Sequence, residues 1–174
     1  LIELGAVLHD FLMPRPFAAF ADIAGRIIGA EGYHHVGELV DGPNLPIDPN
    51  VRPRIQLGRD IRAHEYLDAL AEKEIAKAEF DAALGDFDAL ILPTTETTAI
   101  PLIEVDEAGT PARFTRAGNC LDLCALSLQN GFSSNGLPTS LQIMCRGLEE
   151  AMALRIGWAF EQATNWHRQN PNLG

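Results

Sequence analysis

Lysine is nearly absent: Lys73 and Lys77 are the only two in 174 residues. Basic residues as a whole are scarce, with 13 Lys+Arg against 24 Asp+Glu and a formal net charge of −11. A nucleic-acid binder needs a basic face for phosphates, and so does a chain docking on anionic lipid. Neither nucleic acid nor membrane is therefore an expected partner. No apolar run nears the roughly 20 residues that a membrane span needs. Cysteine is limited to Cys120, Cys124 and Cys145, an odd set that cannot all pair internally. Sparse and flanked by apolar residues, they read as reduced thiols in a reducing compartment, which points to the cytoplasm. A zinc site wants four ligands, usually in close pairs. The five histidines (His9, His34, His35, His64, His167) never stand beside the cysteines at such a spacing, so no metal is expected. Neither Gly-x-Gly-x-x-Gly nor Gly-x4-Gly-Lys occurs, and no cofactor is expected. An initiating Met is missing too. The start Leu1-Ile2-Glu3-Leu4 reads as an entry in mid-protein, or as a processed or trimmed terminus.

What is present describes a globular α/β chain. Apolar residues make up 47% and mean hydropathy is +0.00, enough to bury a core in one ordinary domain. The spacing predicts a helix over 17–28, with Phe17, Phe20, Ala21, Ala24, Ile27 and Ile28 as its stripe. Prolines 43, 46, 49 and 53 exclude a regular helix between 41 and 53 and mark the internal boundary, dividing a helical and loop region (1–50) from a sheet-and-helix part (51–174). The strongest helix is expected over 59–84, buried through Leu67, Ala71, Ile75, Ala78 and Ala82 and stopped by Gly85. Asp88-Ala89-Leu90-Ile91-Leu92-Pro93 reads as a buried central strand, since an apolar run without alternation suits a strand covered on both faces. Residues 94–118 read as loop. Segments 124–130 and 137–145 form an antiparallel hairpin about a Gly/Ser-rich turn. A helix over 148–163 closes the fold through Leu148, Met152, Ile156, Ala159 and Ala163, and 165–174 is a polar tail.

Catalytic chemistry is hard to assemble from these residues. Ser133-Ser134 lies between two glycines, but the nucleophile-elbow spacing is off by one and a strand-to-strand turn is the wrong context. Lys73 and Lys77 stand four apart among glutamates. A solvated helix face with i, i+4 ion pairs explains them, whereas a lysine base must be buried to lose its proton. Asp81, Asp86 and Asp88 read as solvated loop charges. Arg113, Thr115, Arg116 and Asn119 have two readings: a pocket-lining loop of an α/β protein, or a loop pinned by Thr and Asn bonding to backbone.

Four pieces occur in order: Phe87-Asp88-Ala89-Leu90-Ile91-Leu92-Pro93-Thr94, Phe114-Thr115-Arg116-Ala117-Gly118-Asn119, Gly136-Leu137-Pro138-Thr139-Ser140-Leu141-Gln142-Ile143, and the helix leading to Trp166-His167. That order and spacing, from about Val51 to the end, resembles the C-terminal part of amidase signature enzymes. The resemblance implies part of a mixed-sheet α/β fold with helices covering the sheet, incomplete in this chain. It implies hydrolysis of a carboxamide C–N bond through an acyl-enzyme, with a Ser nucleophile, a second Ser in a cis peptide and a Lys base. Those three lie in a Gly/Ser-rich signature that no stretch here matches, so no catalytic residue is expected in this chain. By the same resemblance Thr115, Arg116 and Asn119 border the pocket of a small-molecule amide substrate. The run Asn119-Cys120-Leu121-Asp122-Leu123 lacks the Gly and Pro that commonly follow that Asn in the family, which leaves the subfamily open. Two other readings remain: a non-catalytic amidase-like interaction module, or the A-type component of a tRNA-dependent amidotransferase. Association of copies, or with a partner, through exposed sheet surface is expected.

Overall fold

A computed structural model of the protein describes residues 1–43, 45–106 and 111–170. The expected loop at 107–110 and the end of the polar tail at 171–174 lie outside the described residues. Helix α1 runs Phe17–Asp41, well past the predicted end at 28. Pro16, in extended conformation, sets its start. At its end Arg52 donates to the carbonyl oxygen of Val40, which the last turn leaves open, and to those of Gly42 and Leu45 beyond it. Phe20, Ile23, Ala24 and Val40 form its buried face; Ile28, counted in the expected stripe, is exposed.

Residues 41–53 are not wholly irregular. Helix α2 (Val51–Gln56) begins inside that stretch, with Pro53 in its first turn, where no intrahelical N–H bond is lost. A 3-10 turn, Leu57–Asp60, follows and packs on α1. Helix α3 (Ala63–Leu84) starts later than expected, where the Glu65 carboxylate accepts the Arg62 N–H at 2.8 Å.

The buried face of α3 differs from the predicted one. Ala69, Ala76, Phe80 and Leu84 are buried, while Leu67 is 61% and Ile75 55% exposed, and Ala71, Ala78 and Ala82 are not among the buried residues. So many alanines let an i, i+3/i+4 stripe be drawn along two faces. The bulk of Phe80 and Leu84 decides which one packs, against Phe20, Ile23 and Cys120.

Strand β1 (Leu90–Pro93) pairs antiparallel with β3 (Pro138–Cys145), which pairs antiparallel with β2 (Cys124–Phe132). The expected hairpin is present, with a register shift between Gln129 and Gly131. The expected central strand is not central: the order is β1-β3-β2, and among the described residues β1 is an edge. Its ladder explains the proline. Thr94 N–H donates to Ser140 O at 3.2 Å, so Leu90, Leu92 and Thr94 turn their backbone groups toward β3. Pro93, which has no N–H to give, turns outward.

The sheet separates two cores. Leu126, Leu128, Leu141, Ile143 and Cys145 meet helix α5 (Glu150–Ala163) through Met152, Ala153 and Ile156. On the other side Leu90 joins the α1–α3 core, and Met144 meets Gly118 of the short helix α4 (Thr115–Cys120). Within the expected stripe of α5, Met152 and Ile156 do pack. Leu148 precedes the helix and is 93% exposed, and Ala159 and Ala163 face outward. Gly157, not in that stripe, is buried against Leu126.

Candidate functional site

The proline that ends β1 releases the chain into a threonine-rich loop at one end of the sheet. Thr94 Oγ1 lies 2.8 Å from Ser127 Oγ, and Thr95 Oγ1 donates to Thr97 O at 2.8 Å. Thr139 Oγ1 donates to Asn130 Oδ1 at 2.8 Å on the facing hairpin. Between them lies a cleft of about 370 Å³ walled by Pro93, Glu96, Thr98, Asn130 and Thr139. Gln142, paired across the sheet with both Leu92 and Ser127, is 2% exposed, and its Oε1 has no hydrogen-bond partner among the described residues.

Thr115, Arg116 and Asn119 are not in a loop. They occupy α4, at positions i, i+1 and i+4, while Ala117, Gly118 and Cys120 turn into the core. Thr115 Oγ1 donates to Ala112 O at 3.2 Å, which fits the reading of a hydroxyl pinning backbone. Asn119 is exposed, and Arg116 is half-buried beside a second cleft between α4 and the first turns of α1. The two clefts share an ion pair: Arg113 Nη1 stands 2.6 Å from Glu96 Oε1, joining the lining of one to the lining of the other. Nothing in the sequence singles out Glu96 beyond its place in Thr94-Thr95-Glu96-Thr97-Thr98, directly after a strand-ending proline.

The lysines are not a solvated pair. Lys73 Nζ lies 2.7 Å and Lys77 Nζ 2.9 Å from the two Asp122 oxygens, with side chains 22% and 29% exposed. The hydrogen bond to Asp122 raises the Lys77 pKa against the opposing effect of burial, so this lysine is held charged. Asp122 itself would be raised by burial, yet the hydrogen bonds and charges of both lysines hold it below its usual value. Ser133 is likewise occupied: its Oγ accepts the Leu137 N–H at 3.2 Å and closes the hairpin turn. Neither arrangement is a nucleophile–base pair. Asp81, Asp86 and Asp88 are exposed, in keeping with solvated charges. The chemistry on offer at the sheet end is hydroxyl, amide and guanidinium hydrogen bonding.

Comparison with known proteins defines the class. The amidase family model matches residues 4–154, and the chain belongs to that family. Over 201 aligned residues it is 37% identical to the A-type component of the glutamyl-tRNA(Gln) amidotransferase of Moorella thermoacetica, covering 99% of this chain and 40% of that protein. The protein of the same name from a Synechococcus strain is 36% identical over 134 residues, covering 72% and 26%. Among solved structures, an amidase superposes with a TM-score of 0.82 at 24% identity, covering 93% of this chain and 39% of the other. A 6-aminohexanoate cyclic dimer hydrolase superposes at 0.77 and 19% identity, covering 99% and 40%. The fold is thus that of amidases, and the chain spans two-fifths or less of the length of these relatives. No described helix is long and apolar enough to cross a membrane.

Proposed function

We propose that this chain is the C-terminal portion of an amidase that hydrolyses carboxamide C–N bonds, supplying scaffold and one wall of the substrate pocket. The reaction runs through an acyl-enzyme: a serine oxygen adds to the amide carbon, the amine leaves with a proton, and water releases the acid. The serine, the second serine in a cis peptide and the lysine base belong to a stretch upstream of these residues. The observation that carries this reading is the fate of Lys73 and Lys77. The family's chemistry calls for a lysine that can lose its proton, and both lysines here are committed to Asp122. Thr115, Arg116 and Asn119 on α4 are the residues assigned to the pocket wall. Three unpaired thiols favour a reducing, cytoplasmic setting.

A second reading has its own support. Relatives at 36–37% identity are named as the A-type component of glutamyl-tRNA(Gln) amidotransferase, so that here the released ammonia would instead be passed to an acceptor. The test is ammonia release from simple amides, measured for these 174 residues alone and for the complete polypeptide of the same reading frame. The chain alone is expected to be inactive and the complete polypeptide active. Turnover by the chain alone that disappears in Ser133→Ala, or in Lys73→Ala, overturns the proposal. Ammonia release that requires an added acceptor selects the second reading.

A further inference from the structure

The cleft between α1 and α4 has an unusual lining for so acidic a protein. It measures about 540 Å³, within the range of small-molecule sites, and has Phe17, Ala21 and Gly25 on one side and Arg113 and Arg116 on the other. Phe114 sits edge-on to Phe17 at 5.0 Å, and the Arg113 guanidinium lies 5.8 Å from the Phe114 ring centroid. Arg113 is also tied to Glu96 at 2.6 Å, so its charge is largely answered.

Arg116 is different. Other half-buried arginines have protein partners. Arg15 binds Glu72 and Glu79, and Arg26 binds Glu72. Arg52 binds the carbonyls at the end of α1, and Arg146 binds those of Gly85 and Phe87. Among the described residues no carboxylate or carbonyl partners the Arg116 side chain. A guanidinium is a planar fork matched to a carboxylate.

We infer that Arg116 is a specificity residue that receives a carboxylate borne by the amide substrate, with the aliphatic part of that substrate lying along Phe17 and Ala21. The substrate class is an amide of a dicarboxylic acid, or an amide with a carboxylate elsewhere on its skeleton. This rests on the reading of α4 as a pocket wall. Gly25 provides an independent handle. A Cβ added there meets nothing within 4 Å, so a side chain at this position grows into the cleft without disturbing the packing of α1.

The probes are succinamate and its neutral isostere succinamide, titrated calorimetrically into the complete polypeptide while ammonia release is followed in parallel. Succinamate is expected to bind about tenfold more tightly, the loss of one charge-assisted bond. Arg116→Gln is expected to erase that preference, Arg116→Lys to retain part of it, and Gly25→Leu to abolish it by filling the cleft. Equal binding of the two compounds by the unmodified protein, or a preference that survives both Arg116→Gln and Gly25→Leu, overturns the inference. Failure of the amidase reading looks different: no ammonia from either compound, with the binding preference intact.

Discussion

Replacing Gly58 by alanine tests the helical half of the fold at its tightest point. Gly58 lies in the Leu57–Asp60 turn where it crosses α1. A Cβ there would stand 1.8 Å from the Gly29 carbonyl oxygen, 2.5 Å from its carbon and 2.8 Å from Tyr33 Cβ. Carbon–oxygen contacts settle at about 3.3 Å, so the two segments must part by roughly 1.5 Å. Two of the three obstructing atoms are backbone and the third is a Cβ that its backbone fixes, so none can rotate away. Overpacking of this kind costs about 1–3 kcal/mol, and the backbone obstruction places Gly58→Ala at the upper end. For a chain of this size about 3 kcal/mol lowers the melting temperature by about 6–12 °C. The same displacement would loosen the Tyr33 hydroxyl, which donates to Asp41 at 2.6 Å and accepts from Arg59 at 3.2 Å. Gly32→Ala is the control: it is in α1, which the turn crosses, an added Cβ there meets nothing within 4 Å, and helix propensity alone favours alanine by about 0.5–1 kcal/mol. Thermal melts followed by circular dichroism compare the two. A Gly58→Ala protein that melts with the unmodified chain refutes the crossing.

Two further outcomes concern titrating groups. Because the lysines hold the Asp122 pKa below its unfolded value, the stability it contributes is fully present above about pH 4 and is lost as pH falls through the lowered value. The urea midpoints of the unmodified protein and of Asp122→Asn should therefore differ at neutral pH and converge in acid; a constant difference contradicts the clamp. The Cys145 thiol is pushed up to about 11 by burial and by the neighbouring Cys124. At about pH 8 native Cys145, buried and protonated, should resist iodoacetamide, which attacks the thiolate, while half-buried Cys124 is within the reagent's reach. Equal labelling of both, read by peptide mass spectrometry, counts against the packing of β3 on α5.

The strands were legible in the sequence because Leu90-Ile91-Leu92-Pro93 and the two segments about Gly136 carry local signals: an apolar run with a stop, and turn residues between alternating runs. The inward face of α3 was not. Its side chains meet partners as far off in the chain as Phe20 and Cys120, and alanine at 69, 71, 76, 78 and 82 blurs the periodicity that would choose between faces. Helix α4 was hidden for another reason. Six residues with Gly118 in the middle have little helix propensity of their own, and it is Ala117 and Cys120 packing into the core of Phe20 and Phe80 that holds them. For the site, the residues assigned by resemblance share one short helix, and of the three only Arg116 lines a cleft. The Arg113–Glu96 link between the clefts joins residues 17 apart and has no sequence signature.

The outward-facing proline of β1 also governs how that border of the sheet can meet other backbones. On that side Ile91 offers both an N–H and a C=O, but the next outward position, Pro93, offers only a C=O. A strand laid alongside would find its hydrogen-bond ladder broken at the second rung and its path crowded by a pyrrolidine ring. Growth of the sheet by repeated copies is therefore opposed at the end nearest the threonine loop.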